Sequence, residues 1–548
     1  MWTLDPPWAW DSPGSTGARS ASKARPCRRI SRFTGKQTTV QITLISPPQN
    51  FSKTQETAGV VPPLGLGYLA AALDSRHPVK IIDAVGERYH QIFPWREHLL
   101  RGMTFAEILA AIPPDTRIVG ISNLYTFAFA VAAEIARRVK EKNPDVVVVF
   151  GGAHPTVMTR QTMSRREVDF VVLSEGELTF RDLVEALEAG ESWESIDGLA
   201  YRREGEIVIN PKHRFVQNLD DIPFPRRDLL PMANYFAARE PHGSANRALW
   251  TTMIATRGCP YGCTFCNTPQ IWRRRWRARS PKNVVDEIES LHRQFGVEEI
   301  HFEDESLTTS MKWVQEFCRE LIARQLNIIW QTSNGVRAES IVEETLDLMI
   351  ASGCTHITIA AESGSPRILK EVMQKHLDLA AVVRAARLAT RKRMRLACYF
   401  MLGLPDERIS DVLRSIRLMV RLAAMGVDEV VFSVFSPLPG SKLIERLEQD
   451  GLVHVGDQFF DGLTPHGDLL VSKSYSRHIS DRQIILLKYA GYAAFYGTKA
   501  LFHPLKVLRS ARNVARGVQE IKTERALRTW ILRLFGKEHH MVNGKREA

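Results

Sequence analysis

Long apolar runs are missing from this 548-residue chain. The longest stretch near the end, Ile484 to Tyr496, contains Lys488 and Gly491 and is too short to cross a bilayer. The first forty residues, rich in Pro, Ser, Gly and Arg, have no uninterrupted apolar core of the kind a signal peptide needs, so export is not supported and a cytoplasmic location is expected. They read as a disordered basic tail, or as upstream sequence in front of a start near Val40. Cysteine is sparse: seven residues, without the regular pairing of a secreted disulfide framework. The middle of the chain has no excess charge either. Residues 1–40 hold seven Lys/Arg against two Asp/Glu and residues 501–548 eleven against four, which accounts for the whole net charge of +12. A nucleic-acid groove in the core is therefore not implied.

What is present is alternation. From Gln41, short β-branched runs at 41–46, 79–83, 117–122, 146–152 and 169–174 alternate with helical patterns at 64–73, 128–139 and 177–187. Fully apolar strands in such an order predict a doubly wound, Rossmann-like parallel sheet over 41–215. A ligand of such a sheet lies beyond the carboxyl ends of the strands. Those ends carry Pro47, Gly120, Ser122, Gly151, Gly152, His154, Ser174, Glu175 and Gly176, small or polar groups that let a large flat ligand approach the backbone. A Pro-rich stretch within 216–245 reads as a linker.

A second alternation fills 246–455, with strands predicted at 251–256, 298–303, 328–333, 355–360, 395–401 and 428–434. Six βα units predict a (β/α)6 partial TIM barrel, whose chemistry gathers at the carboxyl ends of its strands. These ends read RGCPYGCTFC (257–266), FEDE (302–305), SNGVR (333–337), AESGS (361–365), LGLPDE (402–407) and SPLPGS (436–441). Residues 456–548 are helical by pattern and basic towards the end.

Cys259, Cys263 and Cys266 place three thiolates on one short loop. Closed iron–sulfur and structural zinc sites take four ligands, so a three-ligand loop leaves one metal position open for an exogenous chelator. A zinc site completed by a distant His292 or His301 is the alternative. Cys27, Cys318, Cys354 and Cys398 stand alone and read as buried apolar thiols or a tail cysteine.

With Phe265 as the aromatic of C-x-x-x-C-x-aromatic-C, the segment resembles the signature of the radical S-adenosylmethionine (SAM) superfamily, over roughly 245–445. The resemblance implies a 4Fe-4S cluster on Cys259, Cys263 and Cys266 whose open iron is chelated by SAM, with reductive cleavage giving a deoxyadenosyl radical. It also implies that Glu303 and Asp304 hold the SAM amino group, that Glu362 and Ser363 lie near the ribose, that Asn334 contacts SAM, and that Phe265 lies against the adenine. Phe-Glu-Asp-Glu stands here where many relatives carry Gly-Gly-Glu.

Residues 41–210, through PPLGLGYLAAAL (62–73), GGAHPT (151–156) and SEGE (174–177), resemble the cobalamin-binding domain that precedes the barrel in one subfamily. The D-x-H-x-x-G motif is missing, since Asp83 is followed by Ala84 and Val85, which implies a cobalt without a lower histidine ligand. The domain order resembles class B radical SAM methyltransferases and the anaerobic magnesium-protoporphyrin IX monomethyl ester cyclase group. That resemblance implies methylation of an unactivated carbon in a small-molecule, lipid or tetrapyrrole-type substrate, and an electron donor such as flavodoxin or ferredoxin. Cyclisation or rearrangement without methyl transfer, or a cobalamin sensor with a structural metal loop, are the rival readings. The run WRRRWRARS (272–280) interleaves aromatics with Arg as single-strand binders do, but its position favours pairing with core acids or guiding an anionic substrate. The C-terminal helical patterns are expected to cap the barrel and shape the pocket, with peripheral contact to the inner membrane surface as the second possibility.

Overall fold

A computed structural model describes residues 39–51, 59–73, 77–463 and 472–534, so the predicted tail lies outside the described residues up to position 38. The strands Ile42–Ser46, Val79–Asp83, Ile118–Ser122, Val147–Gly151 and Phe170–Val172 form a parallel sheet. Numbered along the chain, they lie in the order 2-1-3-4-5. Both faces are apolar because alternate side chains go to opposite cores. Ile45, Val119, Ile121, Val148 and Phe150 pack beneath the helix Phe129–Lys142, while Leu44, Ile118, Val147, Val149 and Phe170 pack beneath Leu64–Ala72 and Gly176–Ala189. The sheet is not purely parallel as predicted: Leu199–Arg203 and Glu206–Ile209 add an antiparallel hairpin at one edge.

Six further parallel strands follow in chain order, Trp250–Met253, Glu299–Phe302, Ile329–Thr332, Cys354–Glu362, Arg395–Leu402 and Glu429–Val434. Helices such as Pro281–Phe295 and Met311–Ala323 cover their outer faces, where Met253, Ile300, Phe302, Trp330 and Ile357 form one core. The inner face is polar. Thr252, His301, Gln331, His356 and Arg395 stand in register across five strands as one layer.

The open side between the first and last strands is filled by two segments. Ser244 and Asn246 plug the lower end, where the Gln331 amide donates to the Ser244 carbonyl (2.8 Å) and the Asn246 amide to Glu299 (2.9 Å). From the C-terminal region, Thr523 donates its backbone N–H and its hydroxyl to Glu429 (3.0 Å each), and Lys522 donates to the Tyr399 hydroxyl. The expected capping of the barrel is thus made by 519–525.

The stretch 216–245 connects the two units but is a packed strap rather than a loose linker. Leu219, Ile222, Leu230, Met232 and Tyr235 are buried, and Arg227 is sunk between Glu287 and the Thr252 carbonyl (2.8 Å). Its prolines stiffen the backbone while interspersed apolar side chains anchor it, a combination that composition alone does not separate from a spacer.

Candidate functional site

The cysteine loop grows out of a short antiparallel pair, Thr256–Arg257 with Arg277–Ala278. At Gly258 the backbone turns through φ +86°, and a Cβ there would meet the Arg275 carbonyl oxygen at 2.0 Å, so only glycine fits. The loop's middle is held by Thr264, whose N–H donates to the Met373 carbonyl (3.0 Å) and whose hydroxyl donates to that of Val372 (2.6 Å). The three thiols are half-buried and close enough to feel one another's charge. Burial pushes all three up, Cys263 to about 11, so a metal has to displace protons on binding.

Among the described residues no three His, Cys, Asp or Glu side chains converge as one metal ion would require. His292 is bonded to the Val297 carbonyl and His301 belongs to the polar layer with Gln331, so neither completes a zinc site with the thiols. Three thiols on one loop with no fourth protein ligand fit a 4Fe-4S cluster with one open iron.

Around this loop the acidic residues divide. Glu362, held at φ +60° at the end of its strand, pairs with Lys375 (2.9 Å), and both act electrostatically on Cys263. Glu305, which the sequence reading left out, accepts from the Trp272 indole (2.7 Å) and the Gly258 N–H (3.2 Å), and its charge reaches Cys259 and Cys266. It is the last acid of FEDE, and its place beside the thiols is the only signal that selects it.

Asp304 is turned towards the start of the cysteine loop. Its carboxylate accepts from the N–H of Ala255 (3.1 Å), the N–H of Thr256 and the Thr256 hydroxyl (2.6 Å), and burial pushes its pKa up to about 7 despite those bonds. It braces the entry to the cysteine loop. Ser363 is likewise internal, accepting from the Ser365 N–H (3.1 Å) and lying 3.4 Å from the Ser415 hydroxyl. Phe265 packs on an apolar cluster with Leu369, Val372 and Phe435, and Asn334 donates to the Asp304 carbonyl (3.3 Å).

Glu303 lies apart from the thiols, facing His242 (2.9 Å). Burial opposes its charge, yet His242 and, further off, Lys522 hold its carboxyl below the usual range. Its Oε1 is buried without a hydrogen-bond partner, as are the Ser333 hydroxyl and Nδ1 of His301 and His356. These atoms face the barrel interior, where a polar ligand or water would satisfy them.

At the N-terminal sheet, the reversal of strand order falls between Ile42–Ser46 and Ile118–Ser122, the switch point where such sheets hold ligands. Leu124 and Tyr125 stand exposed there, and Tyr125 is close enough to feel the charge of Glu303 across the cleft. Pro47 and Ser122 are half-exposed at this edge. Gly151 looks onto open space, the nearest atom to an added Cβ being the Val172 carbonyl oxygen at 3.9 Å, whereas Gly152 presses against the Asn123 carbonyl. An exposed apolar rim with a bare glycine fits a broad, flat group such as cobalamin.

Several of the residues predicted as contacts have partners within the protein. Gly120 leaves room for Leu44 within the sheet, and Gly176 for Leu69. His154 is buried between Phe129 and Phe460, 3.2 Å from the Thr126 hydroxyl, and burial drives its pKa down to about 4. Ser174 donates its N–H to Thr156 (2.8 Å). Glu175 and Glu177 both grip Arg257 (2.7 and 2.6 Å), two residues before Cys259, and Glu175 also pairs with Arg277 (3.1 Å). The SEGE motif thus carries the clamp between sheet and cysteine loop. Arg277 and Arg279 of the basic run turn inward to Glu175 and Glu287, the core-acid pairing that the sequence allowed.

A flavodoxin-like sheet with an open switch point, clamped to a partial barrel bearing three thiols, defines a radical SAM protein with a cobalamin-binding domain. Residues 253–419 match the radical SAM superfamily and 54–184 the B12 binding domain. An uncharacterized methyltransferase of Pyrococcus horikoshii is 32% identical over 460 residues, 83% of this chain and 92% of the relative. The anaerobic magnesium-protoporphyrin IX monomethyl ester cyclase of Rubrivivax gelatinosus is 30% identical, over 73% of this chain and 69% of its own length. The solved structure of the radical SAM methyltransferase TsrM from Kitasatospora setae, with cobalamin and a [4Fe-4S] cluster bound, shares the fold, with a TM-score of 0.61 at 20% identity over 76% of each chain. The chain belongs to the cobalamin-dependent radical SAM methyltransferase family, which includes the cyclase relatives, and its cofactors are a 4Fe-4S cluster, SAM and cobalamin.

Proposed function

We propose that this chain methylates an unactivated carbon of a polar small molecule, held inside the barrel between the thiol loop and the switch point of the sheet. Bound SAM and the cluster supply a carbon-centred radical, and cobalamin supplies the methyl group. The protein's share is to position and to exclude water.

The observation that carries this reading is the clamp: Arg257 ties the cobalamin-binding sheet to the thiol loop through two buried carboxylates, so the two cofactor sites are held as one body. In the barrel, Glu303, Ser333 and the Lys522–Tyr399 pair offer a carboxylate, a hydroxyl and an ammonium to the substrate. Glu362 with Lys375, and Glu305, are the residues to orient SAM beside Cys263 and Cys259, with Asn334 and Phe265 behind them. An external one-electron donor of the flavodoxin or ferredoxin class is required for reductive SAM cleavage.

The test is anaerobic incubation of the reconstituted enzyme with methyl-deuterated SAM, a reductant and a small-molecule extract of the source cells, followed by mass spectrometry. Label in a carbon-bound methyl of a product is expected. Substrate-dependent deoxyadenosine formation with no label in any product would reject methylation in favour of cyclisation or rearrangement, the activity named for the cyclase relative.

A further inference from the structure

The helix Asp481–Phe502 lies against the last barrel strand through Ile484, Gly491 and Phe495, yet it is apolar on its outer side as well. Lys488 and Lys499 point inward and are buried, Lys488 donating to Ser472 (3.0 Å) and Lys499 to the Asp428 carbonyl. Outward, every exposed position from Leu486 to Phe502 is Leu, Tyr, Phe, Ala or Gly. Leu486 is 69% exposed, Leu501 77% and Phe502 59%. The next helix, Pro504–Arg516, continues the patch with Leu505 at 79% and Leu508 at 64%. Spacings of three and four residues put Arg512 and Arg516 on the same exposed side as these leucines.

A contiguous apolar face of this length on a water-facing helix marks a contact surface. Charge decides what covers it. Among the exposed residues from Leu486 to Arg516 there is no acid, while Arg512 and Arg516 stand exposed and Arg509 pairs with Glu520. A second copy of the chain laid on this face would bring like charges together, whereas an anionic lipid surface neutralises them. Leucine and phenylalanine side chains bury in the acyl boundary while arginines on the same side reach up to phosphates. Among the described residues no helix is long and apolar enough to cross a membrane, so the contact lies in the plane of the surface.

We infer that the outer face of 486–516 docks on an anionic bilayer, with Leu501, Phe502, Leu505 and Leu508 inserted and Arg512 and Arg516 at the headgroups. The face is tied to the barrel: the Tyr492 hydroxyl accepts from the Phe432 N–H (3.0 Å), and Lys506 bonds to the Gly426 carbonyl (2.6 Å) and Asp428 (2.9 Å). Docking therefore sets the orientation of the whole barrel on the surface.

The experiment is co-sedimentation of the full-length, cofactor-loaded protein with phosphatidylglycerol/phosphatidylcholine vesicles and with pure phosphatidylcholine vesicles, alongside light scattering for mass. Binding to the anionic vesicles is expected at low salt. It should weaken at least about tenfold in 0.5 M salt, in Leu505→Ser/Leu508→Ser and in Arg512→Glu/Arg516→Glu, with iron and cobalamin content unchanged because these side chains are exposed. Absence of binding to anionic vesicles at low salt would overturn the proposal. So would equal binding to both vesicle types, or a wild-type dimer that the leucine variant turns into a monomer.

Discussion

At the carboxyl ends of the N-terminal sheet the exposed groups are Leu124, Tyr125 and the bare backbone of Gly151, while the corresponding ends in the barrel carry three thiols, Glu305, and Glu362 with Lys375. Both sheets obey the same rule, with ligands beyond the strand ends. One is built to hold by shape and apolar contact, the other by coordinating and charged atoms. Each also gives up a strand-end aspartate to its own backbone: Asp83 accepts from the Gly86 N–H (3.2 Å) and the Tyr235 hydroxyl, as Asp304 does from Ala255 and Thr256.

Removing a coordinating atom should cost most. Cys263→Ala is expected to lose cluster iron and to lower SAM cleavage by about a hundredfold or more while cobalamin content stays; iron assay and absorbance check both halves. Loss of both cofactors together would break the division. Next comes the clamp. Arg257→Met leaves Glu177 buried without its partner and should cost about 3–5 kcal/mol in denaturant unfolding, whereas a neutral result would mean that the two units are not held together there.

The paired aspartates predict a pH dependence. Burial pushes Asp83 up to about 7 from 3.8, so the folded state favours the protonated form. Its contribution is fully present below about pH 4 and is lost as pH rises through about 7. Asp83→Asn should flatten that decline in unfolding experiments across this window; an unchanged slope contradicts it. Smaller still, Gly151→Val should weaken cobalamin binding about tenfold, about 1.4 kcal/mol, with little change in melting temperature, because its side chain meets ligand rather than protein. The smallest effect is expected for His154→Phe: the spectrum of bound cobalamin should not move, and a shift on replacement would make His154 a ligand after all.

Why the barrel site was more legible than the sheet site follows from this contrast. Thiolates at fixed spacing after a first βα strand declare their chemistry by residue type, which is why Cys259, Cys263 and Cys266 stand out in the sequence. A site gripped by shape has no such alphabet. Small and polar residues at strand ends suit a ligand and internal packing alike: Gly120 makes room for Leu44 and Glu175 reaches Arg257. Both SEGE and RGC stood out in the sequence, but pairing them needs the tertiary fold, because 82 residues separate Glu175 from Arg257. The same limit applies to FEDE, where one-residue steps at a strand end send Glu303 to the barrel interior, Asp304 to the backbone and Glu305 to the thiol loop. Strand positions are legible because runs of Val and Ile are local, whereas the packed strap 216–245 is not, because its anchors are dispersed.

The central claim is a cluster held at three corners with its fourth iron open to SAM. Electron paramagnetic resonance of the anaerobically reconstituted, dithionite-reduced enzyme, recorded with and without SAM, tests it most directly. A 4Fe-4S signal whose g-values shift on adding SAM, and which is absent in the Cys263→Ala protein, is the predicted result; failure to take up iron, or a signal indifferent to SAM, would contradict it.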